Sequence, residues 1–152
     1  MRRAVRVVVA GGVAALFAAG CGSAPSPGPV SPAAPTAAPE TKATCEAVGE
    51  AYTKNIGPFA EALTAMVQPN ATAASRATAQ RKLRALADSL RGATQSSGDA
   101  RLRSDGKQAA DQLQARSADA KFFGTIKTTH DVDTVLGPSL KQWLSPVTHH
   151  CS

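Results

Sequence analysis

Aromatic residues are scarce in this chain: one Trp, one Tyr and four Phe make up 4% of it. Without a row of rings there is no platform on which successive bases could stack, so a formal charge of +6 does not point to nucleic acid. Histidine is nearly as rare. His130, His149 and His150 are the only three, and none stands in a ligand-spaced pair such as His-x-x-x-His. No metal and no cofactor are expected. Neighbouring side chains point apart, so His149-His150 beside Cys151 reads as an exposed tail.

Catalytic signatures are missing as well. There is no Gly-x-Ser-x-Gly elbow, Gly-rich phosphate loop, CxxC pair or EF-hand loop. His130-Asp131 could pair a base with its orienting carboxylate, but Asp131 or Asp133 more simply caps a helix start. Glu46 and Glu50 lie one turn apart and read as a solvated face. The expectation is that the chain is not an enzyme.

Nor does the uncharged apolar stretch Val7–Gly20, 14 residues long, reach the roughly 20 needed to span a bilayer as a helix. It follows Arg2, Arg3 and Arg6 and ends in small residues, the pattern of a secretory leader. Ala18-Ala19-Gly20 runs directly into Cys21, and this resembles the lipobox of bacterial lipoproteins, with Ala18 standing where leucine is more common. The resemblance implies that the leader, residues 1–20, is cut before Cys21 and that the Cys21 thiol carries lipid. It places the chain at the extracytoplasmic face of the cell membrane, anchored by its acyl chains. Plain secretion after a cut near Ala24 is the alternative, and Arg2-Arg3 leaves a twin-arginine route open.

Gly22 to Ala43 carries six prolines among Ala, Ser, Thr and Gly. Such a segment has no periodic apolar face and lacks backbone donors, so residues 21–43 read as the lipidated cysteine followed by a disordered tether. The alanine-rich leader, the Pro-Ala tether and the preference for Arg over Lys resemble lipoproteins of high-GC actinobacteria. Setting aside Arg2, Arg3 and Arg6 leaves 14 basic against 11 acidic residues. In the middle section Arg76, Arg81, Lys82, Arg84, Arg91, Arg101 and Arg103 interleave with Asp88, Asp99 and Asp105, a mild attraction for anionic surface polymer or for envelope proteins.

Residues 44–152 read as an all-α domain. Val48, Tyr52, Ile56, Phe59 and Leu63 recur at spacings of three and four behind a Thr44 cap, with Gly57-Pro58 expected to kink the helix or restart it. A second stripe, Ala79, Leu83, Leu86, Ala87 and Leu90, follows a cap at Thr72 and stops at Gly92. A third helix spans about Asp99 to Phe123 on a thin face of Leu102, Gly106, Ala109, Ala110, Leu113, Ser117 and Ala120, small enough for close approach to a neighbour. The last covers roughly Asp131 to Ser145, with a break at Gly137-Pro138 and an end at Pro146. Four helices on short loops predict an up-down bundle.

An even number of antiparallel helices brings the chain end back to where it began. Cys45 and Cys151 should then meet as a disulfide, leaving Cys21 for lipid. With the cysteines tied, Gly57-Pro58 and Gly137-Pro138 fall near one level and would form a waist. Tyr52, Phe59 and Trp143 could line a pocket there for a small apolar ligand. The leading expectation is a non-catalytic envelope lipoprotein acting through protein or envelope contacts; a ligand-binding bundle is the alternative.

Overall fold

The computed structural model describes residues 39–152. The leader, Cys21 and most of the proline-rich segment lie outside the described residues. Helix accounts for 84% of what is described and no strand occurs among the described residues, so the core is built by helix on helix. The elements are α1 (Pro39–Met66), α2 (Ala73–Gln95), α3 (Ala100–Ala118), the short α4 (Ala120–Thr125) and α5 (Thr129–Thr148).

Local chemistry sets most of the starts. Thr72 caps α2 through a reciprocal pair: its hydroxyl accepts the Ser75 amide at 3.4 Å, and the Ser75 hydroxyl accepts the Thr72 amide at 3.3 Å. Asp99 opens α3 by accepting the amides of Arg101 and Leu102. Thr128 opens α5 in a second reciprocal box with Asp131.

Several expected boundaries need correction. α1 is already helical at Pro39, the first described residue, inside the stretch read as tether. Thr44 is therefore not a cap; it sits inside the helix and its hydroxyl donates to the Glu40 carbonyl at 3.0 Å. Gly92 does not stop α2, which runs on to Gln95. The third helix is not continuous: Asp119 ends α3 and at once caps α4.

Neither Gly-Pro pair breaks its helix, and Pro146 does not end α5. A proline disfavours helical geometry in the residue before it largely through that residue's Cβ, and Gly57 and Gly137 have none. Each proline also strips a partner from the carbonyl four residues back. Those carbonyls belong to Lys54, Thr134 and Gln142, all exposed residues that water can reach. The Gln142 carbonyl also receives the Ser145 hydroxyl at 3.0 Å.

The predicted stripes do face inward. Phe59, Leu63, Leu83, Leu86, Leu90, Leu102, Leu113, Phe123 and Val147 are the large apolar side chains most completely enclosed in the core. α1 packs along α2 and α2 along α3; α3 meets α5 over a shorter stretch, and α5 touches α1 over a shorter one still. The thin face of α3 is buried from Leu102 to Ser117, as its small residues suggested. Gly106 shows why: a Cβ built there would overlap the Thr94 side chain of α2. Gly106→Ala should therefore destabilise the protein by roughly 1–3 kcal/mol through overpacking. Gly92→Ala, whose Cβ would meet open space, should stabilise by up to about 1 kcal/mol through helix propensity. Urea midpoints of opposite displacement check the pair; no loss at Gly106→Ala would mean that α2 and α3 are not in such close contact.

Candidate functional site

Because α1 and α5 make so little contact, the space between them is not filled. An apolar cavity of about 400 Å³ lies there, floored by Leu86 and Leu90 of α2. α1 contributes Cys45, Val48, Gly49 and Tyr52; α5 contributes Gly137, Leu140, Lys141, Leu144, Val147 and Thr148. One end is closed by the Cys45–Cys151 disulfide, which forms as expected with the two Cα atoms 5.5 Å apart. Gly49 and Gly137 leave room: nothing lies within 4 Å of where either Cβ would stand. The volume falls in the range of about 300–1,000 Å³ typical of small-ligand sites.

Of the three residues expected to line a pocket, only Tyr52 does. It is the one large hydrophobic side chain left exposed among the described residues, at 38%. Phe59 is wholly enclosed in the core. Trp143 is buried on a different side, where Phe122 meets it edge-on at 5.3 Å. Gly137 of the expected waist lines the cavity and Gly57 does not. Sequence reading missed Lys141, the sole charged residue on the wall. The signal for it was spacing alone: Gly137, Lys141, Leu144 and Thr148 recur at four, three and four on one face of α5.

The titratable groups elsewhere do structural work. The Asp131 carboxylate accepts the Lys127 and Thr128 amides, not the His130 ring. His150 is not part of an exposed tail: its Nε2 lies 2.7 Å from Asp105 Oδ2 and ties the chain end to α3. Of the basic section, Arg91 alone forms ion pairs among the described residues. Arg91 spans to Asp111 at 2.6 Å and Gln114 at 3.1 Å, and Lys107 meets Asp111 at 2.6 Å. Glu46, Glu50 and Glu61 are exposed. Among the described residues no His, Cys, Asp or Glu cluster is fit to hold a metal ion, and no helix is long and apolar enough to cross a membrane.

Three capping carboxylates are held below their ordinary values. Backbone amides do this at Asp99 (Leu102, then Arg101), at Asp119 (Phe122) and at Asp131 (Lys127). Asp111 is lowered by Lys107 and then Arg91. Since the folded values lie below the unfolded carboxylate value of about 3.9, the stability these groups contribute is fully present above that pH. It is lost as pH falls through the depressed values. Urea midpoints should thus stay level in this respect from pH 7 to about pH 5 and decline below about pH 4, and the triple variant Asp99→Asn, Asp119→Asn, Asp131→Asn should show a shallower decline.

No family model, curated protein or solved structure matches the chain.

Proposed function

We propose that the chain is a non-catalytic envelope lipoprotein, held at the extracytoplasmic face of the cell membrane by acyl chains on Cys21, whose helical domain works by binding. The single observation that carries the binding role is the apolar cavity between α1, α2 and α5, with one lysine on its wall and no convergent acid, base or nucleophile. Catalysis needs such groups within hydrogen-bond reach of a reacting centre. The Cys45–Cys151 bridge supports export, because disulfides persist in oxidising compartments. The same bridge, joining the start of α1 to the end of α5, supports an alternating up-down course for the four long helices.

Contacts with envelope proteins or anionic surface polymer remain the broader form of this function. The cavity favours its narrower form, a small apolar ligand. Intact-mass analysis of the protein from its native membrane tests the anchor. The mature amino terminus should be Cys21 with added acyl mass, and Cys21→Ser should abolish both that mass and membrane retention. A mature terminus near Ala24 without acyl mass would sink the lipoprotein assignment.

A further inference from the structure

We infer that the cavity binds a single-chain amphiphile with an anionic head, a fatty carboxylate, with its alkyl chain along α5 and its head on Lys141. This deepens the binding role proposed above and rests on it. Shape is the first ground. The wall runs along α5 from Gly137 to Thr148, a rise of about 16 Å, so the space is long and suits a chain better than a compact ring. Lining chemistry is the second. Leu86, Leu90, Leu140 and Leu144 offer methyl groups and no strong acceptor, which suits methylenes and excludes sugars or peptides rich in polar atoms.

Charge is the third ground. Lys141 is the cavity's only charged residue, no carboxylate lines it, and Lys141 has no ion-pair partner among the described residues. Its long stem can lie on apolar surface while the ammonium stays at the rim. There it would meet a carboxylate whose chain is buried, and the Tyr52 hydroxyl is a further donor on the wall. A cationic amphiphile would bring like charges together at the same rim.

The test uses the full chain in phosphatidylcholine nanodiscs, with empty discs as the blank. A lauric acid analogue bearing a chain diazirine is photo-crosslinked and the labelled peptides are mapped. Label should fall on segments carrying Tyr52 or Leu140–Leu144. Compared at equal free aqueous concentration, which removes uptake by the discs, unlabelled hexanoate, octanoate and decanoate should compete with roughly fourfold gain per methylene, the factor that burial of each CH₂ supplies. Laurate should compete at least tenfold better than dodecyltrimethylammonium. Lys141→Glu should reverse that order. Gly49→Leu fills open space without changing the charge and should weaken every competitor at least tenfold.

Absence of saturable labelling, or label unaffected by Gly49→Leu, would overturn this inference, and the same outcome with an uncharged dodecanol analogue would overturn binding at the cavity as well. Equal competition by the cationic and anionic amphiphiles, with Lys141→Glu leaving the order unchanged, would overturn only the anionic head and leave the binding role standing.

Discussion

Replacing both Cys45 and Cys151 by serine should lower the unfolding free energy by about 2–5 kcal/mol. The two cysteines are 106 positions apart, and closing a loop of that size removes chain entropy from the unfolded state worth up to about 4.7 kcal/mol. Residual structure in the unfolded chain reduces the figure, while the weak packing of α1 against α5 makes the bridge more important here than in an evenly packed bundle. The double variant avoids a stray thiol. Trp143, the only tryptophan and buried at 5%, reports unfolding directly. Wild-type protein under reductant should match the variant. An unchanged urea midpoint would mean that Val147, His150 and their neighbours dock the end of α5 unaided.

Phe59→Ala should be as damaging, at about 3–5 kcal/mol. The ring is fully enclosed within the apolar cluster that also holds Leu63, Leu83 and Leu113, and truncation leaves a hole that packed helices close only in part. A domain of this size has a total stability of roughly 5–15 kcal/mol, so the variant would be marginal. Tyr52→Ala should cost less than about 1 kcal/mol, since the side chain is exposed. The contrast separates two residues that share one stripe: Phe59 holds the fold and Tyr52 borders the cavity. Similar losses for both would place Tyr52 in the core as well.

What could be read from sequence was local or topological. The three-and-four spacing of apolar residues located every long helix, because burial of one face is a repeating requirement. Thr72 announced its cap, since few side chains can satisfy a first-turn amide, and Asp99 was placed at the start of the third helix. The thin face of α3 told of close approach before Gly106 was seen against Thr94. The bridge followed from helix parity. The expected restart or stop at proline did not occur, because continuity through Pro58, Pro138 and Pro146 depends on which carbonyl is freed and whether water reaches it. Asp119 gave no warning of a break, as aspartate inside a helix and aspartate at a junction look alike in sequence. The cavity was hardest. It exists where α1 and α5 make little contact, a relation between distant elements, and its lysine sits in an unremarkable stretch of α5. The pairing of His150 with Asp105, 45 positions away, is equally beyond local pattern.

The clasp also has a topological meaning. With Cα atoms 5.5 Å apart at Cys45 and Cys151, the folded part is in effect a ring, and its linear order is one choice of where to cut it. A peptide link could replace the sulfur bridge, and new termini could be opened at the exposed turn from Gln68 to Ala71 without touching a buried side chain. Such a circular permutant would keep every helix, every cap and the cavity while presenting its two ends on the face farthest from the present ones.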